Sequence, residues 1–447
     1  MNRRTRTLSR SRRTMTPALD QLEARQLLAV QSLVLVPSPM VARSELFGAA
    51  AIASNDIWAV GYTAGYGAVR PRALTEHFDG TSWSVVPNSL PGDRLVSVAA
   101  AASNDVWAVG SPPFIAHWDG TSWSVVASPT LPPNSSLSAV TAPAANNAWV
   151  VGTTSGSSNA VVEHWDGKRW SLVSSPAFTN VLVSTISADS STDVWAFGAS
   201  ATTGNPEALH FDGTTWTALA AATSGGVFKV GGLTALSPTD VWAAGGITAP
   251  DHVPLVPAAE HWDGTRWSLV SVPNPNPGAI YYDITLSGIA AIAANDIWAV
   301  GSFPNANNVE QTLTEHWDGT SWSIIPTPTA GFLKAVSARS DGTVVAVGYT
   351  AANLPLIYQN AASAPKAATT AAVLAAPVTT TATLTAVPTT TMPATPLDAA
   401  AVDQLFAATG PADKPLSFAR HRSRAHQAAD DGALDGLQGG NWPWNPA

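Results

Sequence analysis

Cysteine is absent from the 447-residue chain, and only 12% of its residues are Asp, Glu, Lys or Arg. The first absence excludes disulfides, thiolate-bound zinc and thiol nucleophiles, and it leaves the redox compartment undetermined. No stretch reaches the roughly 18 consecutive apolar residues of a membrane-spanning helix, so no transmembrane span is expected. Cations are also scarce: residues 31–361 hold 10 Lys and Arg against 23 Asp and Glu, a balance of −13. A nucleic-acid backbone is a poor partner for that surface. Helical periodicity is missing from the same region, which leaves strands. With 45% hydrophobic residues, the chain still carries enough apolar surface for a sizeable core.

What is abundant is tryptophan, 18 residues in all, and it recurs in register. One element reads Asn295-Asp296-Ile297-Trp298-Ala299-Val300-Gly301, with its aromatic also at Trp58, Trp107, Trp149, Trp195 and Trp242 and replaced by Val345 in a last copy. A second reads Glu315-His316-Trp317-Asp318-Gly319-Thr320-Ser321-Trp322, and its Asp-Gly pair recurs at Asp79, Asp119, Asp166, Asp212 and Asp263. The Trp spacing of 42 to 56 residues fits a four-stranded propeller blade and is too long for ankyrin or tetratricopeptide units. In the clearest blade the strands are expected at 286–292, 297–301, 313–317 and 320–325. Asp318-Gly319 is expected to form a two-residue type I′ hairpin, placing Trp317 beside Thr320 and Glu315 opposite Trp322.

The last repeat lacks a fourth strand, because after residues 356–360 the chain turns into Ala, Thr and Pro. Residues 31–39 resemble a fourth strand with no first three before it. Pairing the two ends closes the ring and leaves no open sheet edge in that blade's middle. The fold expected is all-β: a seven-bladed β-propeller of four-stranded antiparallel blades over residues 31–361, closed by an N-terminal strand. It is flanked by a basic targeting segment (1–30), an Ala/Thr/Pro-rich linker (362–400) and a largely disordered tail (401–447).

The Asp-x-Trp-Ala-x-Gly and His-Trp-Asp-Gly-Thr-x-Trp elements resemble the repeats of bacterial secreted propellers grouped with the kelch and galactose oxidase central domains. The copper site of galactose oxidase would require a Cys crosslinked to Tyr, which this chain cannot supply. The turn also resembles in part the Asp-box of sialidases, but their three converging Arg have no counterpart that can be nominated here. Near the start, Leu22-Glu23-Ala24-Arg25-Gln26-Leu27-Leu28-Ala29 resembles the Leu-Glu-Pro-Arg-x-Leu-Leu signature of planctomycete surface and exported proteins, with Ala24 in place of Pro. That resemblance implies an extracellular or cell-surface destination. A twin-arginine reading of Arg12-Arg13 fails for want of an apolar segment behind it.

Sixteen Trp and six His (His77, His117, His164, His210, His261 and His316) are repeat positions. Equivalent residues of separate blades are spread around a disc and cannot converge on one ion, so no metal site and no cofactor are expected. The repeated Asp is expected to cap its own turn. Because strands alternate in direction, the short uniform turns share one face, and the variable loops 62–72, 153–159, 247–257, 273–283 and 302–311 share the other. Binding residues on rigid scaffolds favour such loops. The nominations there are Tyr281, Tyr282, Asp283, Asp251, His252, Arg70 and Arg72. The expected function is a monomeric, non-enzymatic propeller binding a protein or glycan at the cell surface. A carbohydrate-active enzyme and a structural wall protein are the alternatives.

Overall fold

The computed structural model describes residues 32–360, apart from 40, 65–69, 156–157, 223–227, 249–254 and 278–283. The described chain forms seven four-stranded antiparallel sheets. Blade 1 comprises Ser44–Ala53, Asp56–Thr63, Arg72–Phe78 and Trp83–Val85, and blade 6 comprises Thr285–Ala293, Asp296–Pro304, Glu310–Trp317 and Trp322–Ile324. First strands of successive blades touch in series, and that of blade 7, Gly331–Ala338, returns to that of blade 1. The ring is therefore closed.

Closure happens as the sequence implies. Leu33–Leu35 is the fourth strand of blade 7, with Leu33, Val34 and Leu35 opposite Asn360, Gln359 and Tyr358. Leu33 and Val36 are 4% and 5% exposed, and they enter the apolar clusters on the two sides of blade 7. A hydrogen bond donated by the Ala51 backbone N–H to Ser337 Oγ (3.0 Å) ties blade 1 to blade 7 across the seam.

Second strands are covered on both sides and almost wholly apolar, as in Ile57, Trp58, Ala59 and Val60, none more than 1% exposed. The strand-two Trp of one blade meets the paired aromatics of the next. Trp107 lies 5.0 Å from Trp165 and 5.1 Å from Trp170, and Trp242 lies 5.0 Å from Trp317 and 5.9 Å from Trp322 (ring centroids). Such aromatic pairs add about 0.5–1.5 kcal/mol each beyond the area they bury.

The hairpin between strands three and four differs from expectation. Trp317 faces Trp322 and Glu315 faces Ile324, so the loop holds four residues, Asp318 to Ser321. Only Gly319 has positive φ (93°), whereas a type I′ turn needs it at both central residues. The Asp side chain explains the change: Asp318 Oδ1 accepts from Thr320 N (2.8 Å) and Ser321 N (2.9 Å). An Asx-type turn thereby replaces the tighter one. Strand two of blade 6 also runs to Pro304, so the loop expected at 302–311 shrinks to residues 305–309.

Candidate functional site

At the face of uniform turns, the repeated chemistry is spent on structure. Each repeated His stands directly opposite its strand-two Trp, as His316 does opposite Trp298, and packs against it with ring centroids 4.1–4.6 Å apart. Its Nε2 reaches the Asp that opens strand two: His77 to Asp56 (2.8 Å), His117 to Asp105 (2.7 Å), His210 to Asp193 (2.6 Å), His261 to Asp240 (2.9 Å) and His316 to Asp296 (2.9 Å). In blades 4, 5 and 6 that Asp also accepts from the indole N–H of its Trp. Blade 3 uses Asn147 instead, and burial without a carboxylate partner pushes the His164 imidazole down. The turn Asp residues are exposed acids held low by local donors. Threonine hydroxyls and backbone N–H groups bring Asp119, Asp212, Asp263 and Asp318 down to about 2. A carboxylate engaged in this way has no proton to give at neutral pH.

A further set of acids lies inside the disc. Glu76, Glu163, Glu260 and Glu315 precede the His in four blades and are 0% exposed. Desolvation raises Glu76 and Glu315 to about 8 and Glu163 and Glu260 to about 7. They occupy one repeat position, sealed between blades, and none lines a concavity described below.

The opposite face begins with a repeated irregularity. In every first strand the pairing register skips one residue: Phe47, Val96, Ser138, Ser184, Gly231, Ser287 and Lys334. Such a bulge drives the neighbouring strand-one carbonyl onto the last residue of Trp-Ala-x-Gly. A Cβ on Gly301 would sit 1.9 Å from the Thr285 carbonyl oxygen, and one on Gly152 1.9 Å from that of Ser136. Glycine is the residue that fits there. All seven skipped residues line the axial channel, a space of about 210 Å³. The repeat thus fixes the bulge while the residue exposed by it varies freely from blade to blade.

The described loops form a larger concavity, about 410 Å³, between the strand-two-to-three loop of blade 1 and the connection from blade 1 to blade 2. Arg70, Arg72, Asn88, Ser89 and Asp93 give it its polar groups. Asn88 Nδ2 donates to the Ala73 carbonyl (3.2 Å) and Thr75 Oγ1 (3.1 Å), which fixes the wall. Beside it runs an aromatic cluster. Phe47 stacks on Tyr62 (5.9 Å, 10°) and meets Tyr349 (6.3 Å), which in turn lies 5.0 Å from Phe332. Lys334 Nζ stands 5.4 Å from the Phe332 ring centre and 5.7 Å from that of Tyr349. Burial, then the charge and hydrogen bond of Glu45, push the Tyr62 hydroxyl well above its usual range.

Of the residues nominated from sequence, Arg70 and Arg72 are both exposed and share that concavity. Tyr281, Tyr282, Asp283, Asp251 and His252 lie outside the described residues. Phe47, Arg94, Lys334 and Tyr349 escaped notice because they sit in strands rather than loops. The signal that could have found them is a position that varies within an otherwise strict repeat.

The sequence matches no protein-family profile and no curated protein. Solved structures do share the architecture. The structure of YCF48 bound to D1 peptide superposes with a TM-score of 0.51 at 17% identity, covering 74% of this chain and 96% of that one. The WD40 β-propeller domain of Doa1 gives 0.51 at 12% identity over 75% and 98%, and the RRP9 WD40 repeats give 0.51 at 10% over 74% and 98%. At these identities the likeness is one of fold. It matches the seven-bladed ring described above.

Proposed function

We propose that this chain is a non-enzymatic propeller that binds a protein partner through its variable face, acting as a monomer outside the cell or at its surface. The observation that carries the reading is the division of labour between the two faces. Repeated His, Asp and Trp are consumed in holding the turn face, while the bulged strand-one position, which ranges from Gly231 to Lys334, lines the channel on the other side. The peptide present in the YCF48 structure and the WD40 setting of the other neighbours support a protein ligand over a glycan. Glycoside hydrolysis commonly needs two carboxyl groups flanking the bond, and the described lining of the concavity supplies one, Asp93. Export rests on the repeat's resemblance to kelch and galactose oxidase type secreted propellers and on the planctomycete-like segment 22–29.

The test is site-specific photocrosslinking in the source cells, with the reactive group at position 70 on the variable face or at position 320 on the turn face. A defined adduct from position 70 and none from position 320, in the envelope or extracellular fraction, is expected. Equal adducts from both positions, or release of reducing sugar from a glycan by the purified chain, would overturn the reading.

A further inference from the structure

The ten described Lys and Arg are not spread evenly over the disc. Lys168, Arg169, Arg266 and Arg339 lie at the turn face. Six belong to the variable end, and five of these (Arg43, Arg70, Arg72, Arg94 and Lys334) fall within adjoining blades 7, 1 and 2. Two acids share that sector, Glu45, which is 6% exposed, and Asp93 in the wall of the concavity. Elsewhere on the same end the described acids are Glu207 and Glu310, at the starts of third strands in blades 4 and 6, with Lys229 in blade 5. A disc of strongly negative balance therefore carries one cationic sector, and that sector coincides with the larger concavity and the aromatic cluster.

We propose that the variable face over blades 7, 1 and 2 holds an extended, carboxylate-rich segment of a partner protein, its acidic side chains on Arg70, Arg72 and Arg94 and its apolar side chains against Phe47 and Tyr62. This deepens, and rests on, the protein-binding reading above. The geometry suits that ligand in three respects. Arg70 and Arg72 are separated by Pro71, whose ring fixes its own φ and biases Arg70 to extended backbone, so the backbone that carries the two guanidiniums is restricted before a ligand arrives. Guanidinium forks pair with carboxylates through two parallel hydrogen bonds, which an ammonium cannot do. Half-buried Phe47 and Tyr62, stacked at 5.9 Å, offer a flat apolar surface beside those charges. The negative remainder of the disc repels an acidic segment and steers it to this sector, raising the rate of productive encounter. A polyphosphate backbone would meet the same repulsion over a much longer footprint.

The experiment uses the full chain and fluorescein-labelled 12-residue peptides of three kinds: Asp/Glu-rich with two aromatic anchors, the same with Asn/Gln at every acid, and the same with Lys. Anisotropy is read at 50 and 200 mM NaCl. Acidic peptides are expected to bind at least tenfold more tightly than the amide versions, to weaken with salt, and to lose at least tenfold with Arg70→Glu plus Arg72→Glu. The melting temperature should stay unchanged, because both side chains are exposed. Arg94→Gln is expected to weaken binding in the same direction. Equal binding of acidic and amide peptides, or binding indifferent to the Arg reversals, overturns the site. If amide or Lys peptides bind best, the partner chemistry proposed is wrong while a protein-binding propeller stands. Failure of all three peptides alongside retention on a sulfated glycan removes both.

Discussion

One carboxylate at the start of strand two organises the turn end of a blade. Asp296 receives both His316 Nε2 (2.9 Å) and Trp298 Nε1 (3.0 Å), and Trp298 is 1% exposed. Removing the acceptor strands two polar groups at once, so Asp296→Ala is expected to cost about 1–3 kcal/mol in denaturant unfolding. Asp296→Asn is expected to cost under about 1 kcal/mol, because Asn147 already performs both contacts in blade 3, at 3.2 Å to His164 and 2.9 Å from Trp149 Nε1. A loss for Asn as large as that for Ala would show that charge rather than hydrogen bonding matters there. Gly301 makes a second residue-level case. Its missing Cβ leaves room for the Thr285 carbonyl pressed in by the bulge, and Gly301→Ala is expected to destabilise by about 1–3 kcal/mol through overpacking. Both residues were legible in the sequence as members of the repeat, the glycine in all seven copies and the Asp in five, with Asn147 and Thr343 in its place in blades 3 and 7. The reason for the glycine was not, since a bulge leaves no mark except a skipped residue whose identity ranges from Gly231 to Lys334.

At the scale of the element, the strand that closes the ring differs from its equivalents. It pairs through Leu33, Val34 and Leu35, as many residues as the outer strands of blades 1, 3 and 6, but Trp, which begins the outer strand in the other blades, is replaced by Leu33. Its neighbours are correspondingly polar: Gln359 and Asn360 are buried, and Trp83 Nε1 approaches Gln359 Oε1 at 3.4 Å. Stability at the seam therefore depends on few apolar contacts. Leu33→Ala is expected to cost about 2–5 kcal/mol, measured as the shift of the urea midpoint at constant slope. Deleting residues 1–37 exposes the edge of 355–360, and edge pairing between chains should appear as dimers or larger species in light scattering. A truncated chain that stays monomeric with an unchanged melting temperature would show that the strand contributes little. The closing strand could be found from sequence because a repeat with a missing part demands one elsewhere. The hairpin register could not, because a two-residue and a four-residue turn share Asp-Gly, and the choice is made by whether the Asp side chain takes up the next two N–H groups.

For the whole molecule, two sets of acids set opposite limits on stability. The four buried Glu that precede the repeated His have folded values near 7 to 8 against about 4.5 in the open chain. Below pH 4.5 they are protonated in both states and favour neither. As pH rises from there, the unfolded chain gives up these protons while the folded disc keeps them, so the unfolded state binds fewer protons and stability falls. The slope reaches about 1.4 kcal/mol per pH unit for each such group and flattens once pH passes the folded values. The turn Asp residues act in the other direction: held near 2 in the fold, they supply stability above their ordinary value of 3.8 that is lost as pH drops through the interval between. The propeller should therefore be most stable near pH 4 to 5 and weaker at pH 8. Urea midpoints across pH 3 to 9 read this directly. Glu76→Gln with Glu315→Gln keeps the shape of each side chain and removes its proton, so the decline between pH 5 and 8 should become shallower in the double variant. If the double variant declines as steeply as the parent, those two carboxyls are already ionised inside the fold, and the source of any alkaline loss lies elsewhere in the disc.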